Sequence, residues 1–189
     1  MSGLDELVLT NYCHPDCIPL MNIMRLSRED AFRLAHEMAE QHPETTAFYR
    51  FADFDNYYEL RKAQDAYLYR RFRELGGQPE ETHPLSFVIG DSDYLREWFG
   101  NGTETKLPLK GIAPEHISFT VGDSGAIYQR DGAVELLTME GFASLLEEYD
   151  GSVSALLKSK GRGYVEVQLW SDRYVKPLPK GENADGTDR

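Results

Sequence analysis

The sequence predicts an α+β fold in which a mixed or largely antiparallel sheet is packed by two main N-terminal helices. Apolar residues recur at helical spacing in the first part of the chain, whereas short alternating runs dominate the remainder, so a repeated βαβ pattern is not favoured. The 189 residues, 41% of them hydrophobic, suffice for one domain with a substantial core. We therefore expect a single domain over residues 1–176 and a disordered tail over 177–189, where large apolar residues are nearly absent.

Two long helices are predicted first. Ser27 is a typical N-cap, and the apolar residues that follow it recur at helical spacing over 28–41, until His42-Pro43 ends the helix. A second helix is predicted over 55–75 and ends at a Gly-Gly pair.

Shorter elements follow these helices. Alternation predicts strands at 6–12, 83–89, 103–109, 117–121 and 164–170, with a further short strand within 48–55. Short helices are predicted at 93–99, 138–149 and 153–158. Asp131-Gly132 lies between two alternating runs, 126–129 and 133–137, which predicts a β-hairpin. The predicted core consists of Leu34, Met38, Leu68, Phe72, Phe87, Ile89, Phe119, Val121, Leu145, Val165, Val167 and Leu169.

Two similar segments, 86–92 and 118–124, each lead from a predicted strand into a Gly-Asp-Ser turn. We expect Gly90 and Gly122 to have positive φ, and Asp91 or Ser92 to cap the helix after the first turn. The second turn is expected to enter the hairpin, so we interpret the likeness as shared turn chemistry rather than a duplication. Asp123 and Ser124 are candidate binding residues.

Charge limits the classes of partner. The net charge of −12 opposes non-specific binding to nucleic acid and to anionic membranes. Ordinary solubilising charge explains it, although an acidic surface that imitates nucleic acid is an alternative. No long apolar run occurs and the N-terminus is acidic, so we expect a cytoplasmic protein without a signal peptide.

Metal-binding side chains are concentrated in one turn. Cys13, His14 and Cys17 lie within five residues and have the chemistry of zinc ligands. A closed site needs further ligands, and the other histidines show no recognisable spacing. Small buried cysteines beside a proline turn are the alternative, which makes zinc the less favoured interpretation.

Tyrosine and arginine are concentrated between residues 48 and 70. These residue types dominate binding hot spots, so our leading hypothesis is a binding or regulatory module that holds a protein or a small molecule. Tyr57, Tyr58 and Arg61 are the candidate contacts. The alternative is that the tyrosine rings cover the core with their hydroxyl groups in water.

Two strands carry a pattern that suggests an enzyme. Ser118 and Thr120 lie in one predicted strand, and Glu166 and Gln168 lie in another about 46 residues later. This order weakly resembles ADP-ribosyltransferase-like folds. The resemblance implies NAD as cofactor, Ser118 and Gln168 as supporting catalytic residues, and Glu166 as the catalytic carboxylate. Alternatively, all four are the outward positions of half-exposed strands.

Overall fold

The computed structural model describes residues 4–44 and 46–175 and is an α+β fold. Its strands are β1 (Val8–Cys13), β2 (Leu85–Ile89), β3 (Thr103–Pro108), β4 (Ile117–Val121) and β5 (Val165–Leu169). Its α-helices are α1 (Arg28–Gln41), α2 (Phe54–Glu74), α3 (Asp93–Trp98), α4 (Ser124–Asp131), α5 (Met139–Glu147) and α6 (Val153–Lys160). A 3₁₀ segment, Thr46–Asp53, connects α1 to α2.

Both long helices begin and end close to the predicted residues. The Ser27 hydroxyl accepts a hydrogen bond from the Asp30 backbone N–H, which caps α1, and α1 ends at Gln41 before His42. In α2 the buried side is imperfect because Gln64 and Asp65 are buried beside Leu68 and Phe72. These two polar residues lie close to the cleft described below.

The sheet has five strands in the order β3-β1-β2-β5-β4, and all neighbouring strands pair antiparallel. Residues that face each other across a pair lie on the same side of the sheet. Phe87 pairs with Val167, and Phe119 also pairs with Val167, which places these side chains on one face. Ser86 pairs with Gln168 and Thr120 with Glu166, so the opposite face is polar.

The apolar face packs against α5 and α6. Phe119 stacks on Phe142 of α5 with ring centroids 4.5 Å apart, and Leu146 and Leu156 complete this core. The main core is therefore covered by the C-terminal helices rather than by α1 and α2.

The polar face is covered in part by α2. Trp170 follows β5 and stacks on Phe72 of α2, with centroids 5.7 Å apart and an interplanar angle of 16°. Leu68 and Val134 join this smaller cluster. Beyond it, α2 and the polar face separate and leave a cleft.

The sequence prediction fails in two places. The predicted hairpin is instead α4, because Gly132 has a φ of +70° and its N–H bonds to the Tyr128 carbonyl, which makes Asp131-Gly132 a helix end. Only Leu137 of the following run bridges to Phe119. The strand predicted within 48–55 is mostly 3₁₀ helix.

The predicted core is largely correct. Nine of its twelve members are buried, and Leu34, Val121 and Leu145 are partly buried. The predicted tail, 177–189, lies outside the described residues. Among the described helices, none combines the length and the apolar character needed to cross a bilayer.

Candidate functional site

A cleft of about 590 Å³ lies over the polar face of the sheet. Thr10, Ser86 and Glu166 of this face line it, together with residues from α1, α2, α3, the 3₁₀ segment and the second Gly-Asp-Ser turn. Its volume falls in the range typical of small-molecule sites. The lining combines a polar cluster, defined here as Arg61, Asp123, Tyr164 and Glu166, with aromatic side chains.

The second Gly-Asp-Ser turn positions one carboxylate of the polar cluster. Gly122 has a φ of +107°, a conformation that side-chain-bearing residues rarely adopt. Asp123 follows it and caps α4 by accepting a hydrogen bond of 2.8 Å from the Ala126 N–H. The Tyr164 hydroxyl donates a 3.2 Å hydrogen bond to the same carboxylate. Asp123 is therefore held by both its own helix and the chain leading into β5.

Glu166 provides the second carboxylate. Its Oε2 accepts a 2.6 Å hydrogen bond from the Ser124 N–H in the first turn of α4. Burial raises the pKa of Glu166 to about 7, and repulsion from Asp123 contributes. Glu166 can thus gain or lose a proton near neutral pH.

An ion pair between a partly buried arginine and a buried aspartate lies next to these carboxylates. Arg61 of α2 is 3.4 Å from Asp65, which is itself 1% exposed and 2.7 Å from Nδ1 of His83. Burial alone would lower the pKa of Arg61, but the charges of Asp65, Glu166 and Asp123 raise it overall, so Arg61 stays charged. Its Nε is buried without a hydrogen-bond partner among the described residues.

Aromatic side chains form much of the remaining lining. Tyr49 contacts Trp98 of α3 edge to face with centroids 5.8 Å apart, and Tyr94 contacts the same indole at 5.7 Å. The Arg50 guanidinium lies over the rings of Tyr49 and Tyr57 at 5.3 and 5.7 Å. Tyr49 and Tyr94 remain more than half exposed, so these rings are accessible to a ligand.

The predicted Tyr/Arg contacts are only partly brought together. Tyr57 and Arg61 line the cleft, whereas Tyr58 packs against Phe32 of α1 with centroids 5.3 Å apart. Tyr58 therefore belongs to the helix packing.

The structure does not bring the predicted catalytic residues Ser118, Glu166 and Gln168 together in the cleft. Ser118 donates to the Gln168 side chain at 2.9 Å, and Gln168 donates to Thr120 at 3.2 Å, all at most 1% exposed. The Trp170 indole donates to Ser118 at 2.8 Å. These three side chains satisfy each other and are absent from the cleft lining. Their burial also contradicts the half-exposed alternative for these three residues, whereas Glu166 is partly buried. Glu166 alone reaches the cleft, so the geometry expected for NAD at Ser118 and Glu166 is not present.

Ser124 is also buried. Its hydroxyl accepts a 3.0 Å hydrogen bond from Gln64, and its side chain has no exposed surface. Of the two candidates in this turn, Asp123 lines the cleft and Ser124 supports it.

The predicted zinc turn has a different arrangement from the one expected. Burial raises the pKa of the Cys13 thiol, and burial together with the neighbouring Cys13 and Asp16 side chains raises that of Cys17 to about 11. Neither cysteine belongs to the group of ligand atoms that lie close together in this turn. His14 lies instead near Asp16 and His42.

No model of a known family matches the chain, and no curated protein or solved structure matches it either. The site residues that the sequence did not indicate are Gln64, Tyr94, Trp98, Tyr164 and the Asp65–His83 pair. Tyr164 is the first residue of the strand predicted to carry Glu166, which was the available signal. Gln64 and Asp65 gave no signal beyond interrupting the apolar side of α2.

Proposed function

We propose that the chain is a small-molecule-binding module whose ligand lies in the cleft over the polar face of the sheet. The observation that carries this proposal is the combination, in one cleft of about 590 Å³, of accessible aromatic rings and a cluster of partly buried charges. Clefts of this size with a few convergent polar groups are the usual form of a ligand site. This agrees with the binding-module hypothesis but moves it from an outer surface to a cleft.

The charges around Glu166 define the polar group of the ligand. Asp123, Glu166 and Asp65 face the two guanidinium groups of Arg61 and Arg50, which leaves one negative charge in excess when Glu166 is ionised. Arg61 is already paired with Asp65. A neutral donor or an ammonium group therefore fits the cluster, and a phosphate or carboxylate does not.

The rest of the ligand is apolar. Trp98, Tyr94 and Tyr49 offer ring faces and edges, and such rings also attract cations held close to them. The expected ligand is an aromatic or aliphatic body that carries an amine.

A thermal-shift comparison of matched compounds tests this proposal. We expect aromatic amines to raise the melting temperature, whereas the carboxylic acids of the same carbon skeletons do not. For the best amine, Glu166→Gln should weaken binding by at least about tenfold, and Tyr57→Ala should do the same. Glu40→Gln, which removes an exposed carboxylate of α1, and Tyr69→Ala, on α2 outside the cleft lining, are the controls.

The pH dependence follows from Glu166, which is faced by Arg61 of α2, by Asp123, and by the Ser124 N–H. Amine affinity should rise between pH 6 and pH 8 as Glu166 loses its proton, and this rise should be absent in Glu166→Gln. Amine binding that is insensitive to both Glu166→Gln and Tyr57→Ala would place the ligand elsewhere.

The other two hypotheses receive less support. An NAD-consuming site requires Ser118 in the cleft, and Ser118 is buried outside it. A nucleic-acid mimic requires a stripe of unpaired carboxylates, whereas Asp30, Asp91 and Asp131 each pair with a neighbouring cation.

A further inference from the structure

We propose that His14, Asp16 and His42 form a binding site for a divalent transition-metal ion, with zinc as the expected ion. One ligand atom from each residue lies within 4.8 Å of the other two. The site uses none of the four residues of the polar cluster proposed above to bind the amine, although His14 also lines the same cleft.

The separations between the ligand atoms match zinc geometry. Asp16 Oδ2 is 3.0 Å from Nε2 of His42 and 3.8 Å from Nδ1 of His14. Tetrahedral zinc with bonds of about 2.0–2.1 Å requires ligand atoms roughly 3.3 Å apart, and the two distances lie on either side of this value. Two imidazoles and one carboxylate are a common donor set for zinc that keeps one position open.

The imidazole of His14 is already oriented for binding through Nδ1. The Asp16 backbone N–H lies 3.2 Å from this nitrogen and donates to it, which requires that the proton of the ring be on Nε2. Metal binding would replace this hydrogen bond with a coordination bond at the same lone pair. The Nε2 side of the ring lies against Gly100, where an added Cβ would be 3.3 Å away.

Packing holds both imidazoles in place. The rings of His14 and His42 are 4.8 Å apart between centroids, and Phe48 lies against both, at 4.8 and 5.3 Å. His14 is 8% exposed, whereas Asp16 is accessible, so an ion can enter from solvent. His42 caps the end of α1, and His14 and Asp16 belong to the turn after β1, so the ion would join two segments that are distant in sequence.

Zinc titration of tag-free, chelator-treated protein tests the site. Calorimetry should show a single zinc ion bound, and the melting temperature should rise with zinc concentration. Both His42→Ala and Asp16→Asn should weaken zinc binding by at least about tenfold. His36→Ala is the matched control, because His36 is an exposed histidine of α1 that pairs with Glu40 at 3.2 Å and is not one of the three proposed ligands.

The identity of the ligands is tested separately. The cobalt-substituted wild-type protein should show no thiolate-to-cobalt charge-transfer band, and a variant with both Cys13→Ala and Cys17→Ala should bind zinc as the wild type does. The spectrum is recorded on the wild-type protein and does not depend on the folding of a variant. Absence of zinc binding, equal loss in His36→Ala, retention in His42→Ala, or a thiolate band would each overturn the proposal.

Discussion

The two Gly-Asp-Ser turns share a sequence but not an environment. The first leads from β2 into α3 and the second from β4 into α4. In the first, Ser92 is the N-cap and Asp91 lies at the surface, 2.8 Å from Lys106. In the second, Asp123 is the N-cap, and Ser124 is buried within the helix.

A shift of one residue in the helix start produces this difference. In the second turn it places the Ser124 N–H against Glu166 and the Ser124 hydroxyl against Gln64, while Asp123 faces the cleft. The same three residue types thus form a simple corner in one place and part of a candidate binding site in the other. The likeness extends further than the sequence predicted, because both turns lead into helices.

The largest expected difference between the two turns is in pH dependence, and it comes from Glu166, whose carboxylate is hydrogen-bonded to the second turn. The pKa of Glu166 is about 7 in the folded protein and 4.5 in its ordinary state, so the folded protein binds the extra proton between these values. Stability should therefore fall as the pH rises from about 4.5 to about 7 and stay level above, by roughly 2 to 3 kcal/mol in total. Denaturant unfolding of the wild type and of Glu166→Gln at pH 5 and pH 8 measures this contribution. Equal pH dependence in both proteins would contradict it. Among the described residues, the first turn contacts no carboxylate whose pKa is raised in this way.

The two glycines should respond unequally to alanine. Gly90 has a φ of +70°, close to the left-handed helical region, and an added Cβ would meet nothing within 4 Å. Gly122 has a φ of +107° and its Cβ would lie 3.1 Å from Arg162. We expect the free energy of unfolding to fall by about 1 kcal/mol in Gly90→Ala and by about 2 kcal/mol in Gly122→Ala. Equal losses in thermal melts would show that the two corners are equivalent after all.

Replacing each serine by alanine should lower the stability of the protein for a different reason. Ser92→Ala removes a helix cap, at a cost of about 1 kcal/mol. Ser124→Ala leaves the buried Gln64 amide without its acceptor, for which about 1.5 kcal/mol is expected. The double variant Gln64→Leu with Ser124→Ala should recover part of that loss, and a strictly additive result would argue against the contact.

The aspartates should give the smallest effects. Asp91→Ala removes an exposed ion pair and should change stability by less than about 0.5 kcal/mol. Asp123→Ala removes a cap and should cost about 1 kcal/mol, whereas Asp123→Asn keeps the cap and should lower the pKa of Glu166 by removing a negative neighbour. Titration of Glu166 by NMR checks the second effect.

Local signals predicted most of the elements. Ser27 and the spacing after it define α1, and the alternation of 117–121 defines β4. The hairpin prediction failed because Asp-Gly serves both two-residue hairpins and left-handed helix ends, and only packing decides between them.

The candidate site was less predictable, since it depends on tertiary contacts. Asp123 and Glu166 were recognised individually, but their approach to Arg61 depends on how α2 crosses the sheet. Similarly, His42 lies 28 positions after His14, and no spacing rule connects them. Such convergence is a property of the fold and not of any short segment.

The two outer strands of the sheet have a consequence for aggregation. On β3, Glu104 and Lys106 are followed by Pro108, and charge and proline on an outer strand discourage pairing with another chain. On β4, Phe119 exchanges two backbone hydrogen bonds of 2.9 Å with Leu137, so a neighbouring segment already occupies that side. Charged residues and a proline therefore oppose the addition of another chain at β3, and the segment that contains Leu137 opposes it at β4.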